Sequence, residues 1–554
     1  MKKKILAGIL AALLALSALT GCGGSASDSS NDTGVQQEAT DSESTEGSQA
    51  AASSGEDALS GLPETLADGE VKATPEMYSN IDLSDEYTVN MYLIGDTPND
   101  WNDVLAKINE YLAPFNTQLA VTFMSWSDYM QMYSLVLAGG EDIDCIYTAP
   151  WCYMYTEAAK GSFYVLSDEF ISDYMPLTKK YQDPKSFKEA TVNGQLIAIP
   201  ANQENAQNKI VAIRQDIADK YGIESLSNWD DYMNFMLTVA EKETPESGIY
   251  AQASATDNVE LWHVYRQQYD TFYLLDDNYL TYMFEYDGEI PEVSDIKFAW
   301  DTEIFRNYAK DMKTLADAGC WSRSALSETI TDDDAFGALQ GASITWNGTV
   351  YSYMKQAEQT EGITCAAYDL TTDHLVACEE YNNSDFAITA GSKNPERTAM
   401  VLDILKMDTY ANRLVMLGIE DVHYTLEEGN HYAKTDKSGD YTFDSISLSW
   451  AIRNGDRKYV ESDRPEREVV MYDSWDERIV GNPAVTFIFD DSSVSDSAAA
   501  VKSTIADYIY MLQLGLVDDV DATIDEMLEK CDKAGLQAIT DELIRQYEAW
   551  LETQ

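Results

Sequence analysis

Between Glu86 and Tyr147 the chain switches repeatedly between two hydrophobic periods, and this alternation restricts its fold more than any other feature. The stretch from Glu86 to Ile94 has a β-rich composition and ends at the turn-forming cluster Gly95-Asp96-Thr97-Pro98-Asn99-Asp100, after which helical periodicity runs through Leu112. Leu119 to Phe123 reads as a second strand, Ser127 to Leu137 as a helix and Asp144 to Tyr147 as a third strand. Such alternation predicts a parallel sheet with helices on its faces. Ligands of these sheets sit at the carboxyl ends of the strands, which directs attention to Asp96–Asp100 and Thr148–Trp151.

Further along, Leu196 to Pro200 has the composition of a strand, preceded by the turn Asn193-Gly194-Gln195. Helices are expected at Trp229–Glu241, Val259–Tyr269 and Ile304–Gly319, the last closing on a glycine suited to a C-cap. A helix near Ala335–Gly341 gives way to Ala342-Ser-Ile-Thr-Trp346, a short strand that delivers an aromatic to a turn at Asn347-Gly348. Ile363–Tyr368 and Phe386–Thr389 read as strands and Glu396–Lys406 as a helix. From about Ser497 to Leu551 apolar positions such as Ile505, Ile509, Leu512, Ile539, Leu543 and Tyr547 recur at helical spacing, which marks core packing.

The first residues have a different character. Lys2-Lys3-Lys4 precede a short apolar run from Ile5 to Leu19, followed by Thr20-Gly21-Cys22, the layout of a secretory signal. The run is shorter than the roughly 20 apolar residues that a spanning helix needs. Leu19-Thr20-Gly21-Cys22 resembles the bacterial lipobox, which implies cleavage after residue 21 and acylation of Cys22. From residue 23 to about 68 the chain is dominated by Ser, Gly, Asp, Glu, Thr and Ala, too polar to fold alone, and 22–80 is expected to be a flexible tether.

The formal charge is −59, and removal of Lys2, Lys3 and Lys4 with the leader takes it to −62. An acidic surface of this size argues against nucleic-acid or anionic-lipid binding. Six cysteines besides Cys22 are scattered through a body large enough not to need staples, so buried free thiols are expected; Cys365 with Cys378 is the first pairing to test. Four histidines and no Cys-x-x-Cys spacing offer no zinc set, and no metal or cofactor is expected.

Specific resemblance begins at Gly139-Gly140-Glu141-Asp142-Ile143-Asp144-Cys145-Ile146-Tyr147-Thr148-Ala149-Pro150-Trp151. This segment is similar to the early part of extracellular solute-binding proteins of ABC importers. Gly194–Glu204, Phe336–Trp346 and Phe386–Leu405 resemble later segments of the same family, in the same order. Leu417-Gly418-Ile419-Glu420-Asp421-Val422-His423-Tyr424 and the tail from Asn482-Pro483 to Trp550 resemble a carbohydrate-type lipoprotein subgroup that carries a C-terminal domain of unassigned function. The resemblance implies an α/β, two-lobe, type II periplasmic-binding-protein-like fold with hinge strands and an α-rich C-terminal part. Lobe 1 would comprise 85–200 and 363–410, and lobe 2 would comprise 201–362 and 411–554. It further implies a monomer without catalytic activity, held by Cys22 on the outer face of the cytoplasmic membrane, that hands a solute to permease subunits.

Sugars stack their apolar faces on aromatic rings and pair their hydroxyls with carboxylates and amides. Trp151, Trp346, Glu204 and Asn347 meet those needs at positions the resemblance assigns to ligand contact, with Tyr153, Asn202 and Asp96 as further candidates. Each tryptophan competes with a core role, and Glu204 with a place in a solvated loop. Where better-known sugar binders often carry an acidic residue after the third strand, this chain has Pro150-Trp151. A peptide or cationic-solute binder is the alternative that the charge favours, and a surface glycoside hydrolase, which needs a carboxylate pair across a cleft, is a further one.

Overall fold

The three strands expected from the alternation lie side by side. In the computed structural model, which describes residues 59–140, 142–252, 258–277, 279–324, 332–346, 350–442, 446–462 and 464–554, Tyr87–Ile94 pairs in parallel with Thr117–Met124 and with Cys145–Thr148. Asp385–Ile388 then joins antiparallel to Cys145–Thr148, and Ile199–Pro200 completes the five-stranded sheet. All four residues of Cys145–Thr148 are buried, as expected of a strand covered on both faces. On one face lies the helix Trp101–Leu112, which buries Trp101, Val104, Ile108 and Leu112 along one stripe. The continuous strand expected over Leu196–Pro200 is instead two: Gln195–Leu196 turns back on Thr191–Val192, and only Ile199–Pro200 enters the sheet.

A second core forms around an antiparallel sheet in which Ile210–Arg214 is flanked by Ser343–Trp346 and Cys365–Tyr368. Glu303–Ala318 is closed by Gly319 at φ 82°, the left-handed cap read from the sequence. The tail folds into the helices Ser495–Gln513, Val520–Ala534 and Leu536–Leu551, and Ile505, Ile509, Leu512, Ile539, Leu543 and Tyr547 are all buried in this second core.

Between the two cores Asn205–Gln207 pairs antiparallel with Val376–Glu379, which pairs in parallel with Ile479–Val480. The chain passes from the first core to the second after Pro200, returns between Glu379 and Asp385, and passes again after Glu461. The segments beside these passages are tied together: Ala201 N–H donates to the Ser384 carbonyl at 2.9 Å, Asn202 N–H to the Arg453 carbonyl at 2.9 Å and Gly455 N–H to the Asn202 carbonyl at 2.9 Å.

The core memberships correct the expected boundaries. Cys365–Glu379, placed with 363–410 in lobe 1, supplies strands to the second sheet and the connecting sheet. Leu414, Val415, Tyr441, Ile446, Leu448 and Ile452, placed in lobe 2, are buried in the first core. Part of the expected 22–80 tether is also folded, since Leu66, Val71, Met77 and Tyr78 are buried in the first core. Its few apolar residues are helped by buried carboxylates: Ala73 N–H donates to Asp408 at 2.7 Å and the Tyr78 hydroxyl to Asp403 at 2.9 Å. The export signal and Cys22 lie outside the described residues. Cys145, Cys152, Cys320, Cys365, Cys378 and Cys531 are free and buried, so Cys365 and Cys378 are not bridged. No helix among the described residues is long and apolar enough to cross a membrane.

Candidate ligand-binding site

At the carboxyl end of Cys145–Thr148 the chain makes a tight loop. Cys152 N–H and Met154 N–H both donate to the Ala149 carbonyl, at 2.8 and 3.2 Å, and Tyr153 is held at φ 57°. A tyrosine in the left-handed region carries backbone strain, which the loop geometry imposes. The result is that Trp151 projects from the sheet edge, 42% exposed, while Tyr153 stacks on Tyr133 with ring centres 5.4 Å apart.

Trp151 does not stand alone. Its indole N–H donates to the backbone carbonyl of Asn383 at 2.9 Å, on the returning connection. Tyr147 and Tyr129 lie against it at 5.7 and 6.4 Å between ring centres, and Trp450 meets Tyr147 edge-on at 5.7 Å. Four rings from three separate stretches of chain thus form one aromatic wall beside the connecting segments.

Beside the wall sits a polar group. Glu379 accepts from Asn205 Nδ2 at 3.2 Å, from Gln207 Nε2 at 3.5 Å and from Asn383 Nδ2. Asn205 and Glu379 are directly paired across antiparallel strands, which puts their side chains on one face. Ser384 Oγ lies 3.1 Å from the Tyr147 hydroxyl and joins this group to the wall.

The candidates from sequence fall differently. Glu204 is one residue from Asn205 and forms an ion pair with Lys185, which lies over the Tyr381 ring at 5.6 Å. Successive side chains of an extended segment point to opposite faces, so the single-residue offset separates Glu204 from the Glu379 group. Asn202 is buried, accepts from Asp183 N–H at 2.9 Å and donates to the Tyr181 carbonyl at 3.1 Å, holding the passage between the cores. Asp96 is exposed beyond Gly95, at the same sheet edge as Trp151. The backbone of Trp346 pairs with Ile210 at the end of its strand; its side chain and all of Asn347 lie outside the described residues. Glu379, Asn383 and Trp450 had no signal in the sequence, because their partners Asn205, Trp151 and Tyr147 lie more than a hundred residues away, and Tyr129 is placed against Trp151 only by the fold.

Behind the connection is a buried charged group. Asp385 has both carboxylate oxygens buried without a hydrogen-bond partner among the described residues, and burial holds its pKa well above the usual carboxylate range, with Lys406 opposing. Burial likewise lowers Lys406 to about 7, and its ammonium donates to the Pro200 carbonyl. Glu189 is pushed up to about 7, mainly by burial, while accepting from Tyr381 N–H at 2.8 Å. Among the described residues no group of three or more His, Cys, Asp and Glu side chains could hold a metal ion.

Residues 483–552 match the family model of a domain of unknown function, DUF3502. The chain is 21% identical over 479 residues to a carbohydrate ABC transporter substrate-binding protein of Streptococcus pneumoniae serotype 4, covering 85% of this chain and 93% of that one. Its structure is similar to that of the N-glycan transport solute binding protein NgtS from S. pneumoniae, with a TM-score of 0.67 and 19% identity over 84% of this chain and 99% of that one. It is also similar to alginate-binding protein AlgQ2, with a TM-score of 0.61 and 15% identity over 84% and 98% of the two chains. These likenesses establish the fold as that of a type II solute-binding protein.

Proposed function

We propose that this chain is the substrate-binding component of an ABC importer, capturing a sugar or oligosaccharide between its two lobes and delivering it to a membrane permease. The observation that carries this reading is the aromatic wall in which Trp151, Tyr129 and Trp450 gather around the buried Tyr147, beside the carboxylate and amides of Glu379, Asn205 and Asn383. Rings offer a surface for the apolar face of a sugar and the polar group offers partners for its hydroxyls. Trp151 is the central ligand contact, Tyr153 and Asp96 flank it, and Trp346 and Asn347 are further ligand contacts on the strength of the sequence.

The relatives described above support this reading: one is named for carbohydrate transport, and NgtS has been solved with Man1GlcNAc and with Man5GlcNAc. Ligand held by both lobes stabilises the closed form, and the permease recognises that form. The chain acts as a monomer without turnover of its ligand. It is anchored by acyl chains on Cys22 at the outer face of the cytoplasmic membrane, which keeps it beside the permease.

Thermal-shift screening of the mature chain against mono- and oligosaccharides, peptides and polyamines tests the reading. A saccharide is expected to raise the melting temperature and to be recovered intact. Stabilisation only by peptides or polyamines, or cleavage of the glycan, would overturn it. For the anchor, Cys22→Ser is expected to move the protein from the membrane fraction to the medium.

A further inference from the structure

Glu379 is placed where a ligand resting on Trp151 meets the connection between the lobes. Its carboxylate is half-buried, and the three amides around it come from both sides of the connection: Asn205 and Gln207 from one strand, Asn383 from the 3-10 turn Tyr381–Asn383 that follows Glu379. The carbonyl of that same Asn383 takes the Trp151 indole N–H at 2.9 Å, so the carboxylate and the exposed ring are one residue apart through hydrogen bonds. A carboxylate accepts about four hydrogen bonds, and the amides use three positions at most. Each amide nitrogen in turn has a second proton. The group therefore has both an acceptor and donors to spare, which is what a sugar hydroxyl, itself donor and acceptor, requires.

Glu379 supplies a carboxylate to this group, and among the described residues no lysine or arginine is paired with it. Lys185, which lies over the nearby Tyr381 ring, is engaged with Glu204 on the other face of the connection. A uronate or sialate brought onto Trp151 would set its carboxylate against that of Glu379 in a partly desolvated site, where like charges repel more strongly than in water. Discrimination between ligands is built by such repulsion as much as by attraction.

We infer that Glu379, held between Asn205 and Asn383, is the hydroxyl-recognising and specificity-determining residue of the site, selecting uncharged glycans over acidic ones. This rests on the carbohydrate reading above and adds the class of glycan. The solved neighbours do not settle that class, since one is named for N-glycan transport and another for alginate.

The test is isothermal titration of the mature chain with matched pairs: β-1,4-mannotriose against tri-mannuronate, and lacto-N-tetraose against its sialylated form. In the wild type the neutral member of a pair is expected to bind at least about tenfold more tightly. Glu379→Gln is expected to weaken the neutral ligand by about tenfold, through loss of charge-assisted hydrogen bonds, and to narrow the gap to the acidic one. Equal or tighter binding of the acidic member, or a Glu379→Gln protein that binds the neutral one unchanged, would overturn the inference and leave the carbohydrate reading intact. Failure of every saccharide to bind the wild type would overturn both. Equal or tighter wild-type binding of the acidic member overturns the inference even if the variant does not fold.

Discussion

The indole N–H of Trp151 donates to the backbone carbonyl of Asn383 at 2.9 Å, joining an exposed ring past the carboxyl end of the middle strand of the first sheet to the 3-10 turn on the connection that returns from the second core. In the proposed capture, the ring that carries the ligand is thereby tied to the connection between the two cores.

Trp151→Ala is expected to weaken saccharide binding by at least about 30-fold, since the ring contributes roughly 2 kcal/mol or more through buried area and stacking. Trp151→Phe keeps a ring and loses the donor, and is expected to lose about tenfold or less. Titration of both variants separates the surface from the tie. An alanine variant that binds like the wild type would remove Trp151 from the site.

Asn202 is expected to act through stability. Replacing it with alanine removes the donor to the buried Tyr181 carbonyl and the acceptor of the part-buried Asp183 N–H, at a cost of about 1–3 kcal/mol. Denaturant unfolding of Asn202→Ala should show that loss with saccharide affinity little changed. A large fall in affinity at unchanged stability would return Asn202 to the ligand.

The connection should also respond to pH through Glu189, which is 3% exposed and has its carboxyl raised to about 7 by burial. An unfolded glutamate titrates near 4.3, so across roughly pH 4.5 to 7 the folded state holds a proton that the unfolded state has lost. Its contribution is fully present below that window and is lost as pH rises through the folded value, by at most about 4 kcal/mol. Lys406, lowered to about 7 by burial, acts on the other side: between about 7 and 10.5 the unfolded state holds the proton, and stability rises with pH. Glu189→Gln is therefore expected to melt higher than the wild type at pH 8 and alongside it at pH 4.5. Scanning calorimetry at the two values checks this, and a variant less stable at pH 8 would contradict it.

Local pattern alone determined the three parallel strands, the helix closed by Gly319 and the apolar faces of the C-terminal helices. In each, the signal is a period or a cap contained within the element itself. Trp151 was legible for the same reason, as the residue just past a buried strand.

Tertiary structure decided what depends on pairing between distant stretches. Glu379 meets Asn205 across 174 positions, and no local period marks either. The pleat of the connecting strand set Asn205 toward the wall and left its neighbour Glu204 to Lys185, a difference of one residue to which composition is blind. The assignment of Cys365–Tyr368 to the second sheet and of Leu414, Val415, Tyr441, Ile446, Leu448 and Ile452 to the first core is of the same kind. A short apolar segment reads alike whichever core receives it, and only the partner strand or helix it packs against distinguishes the two.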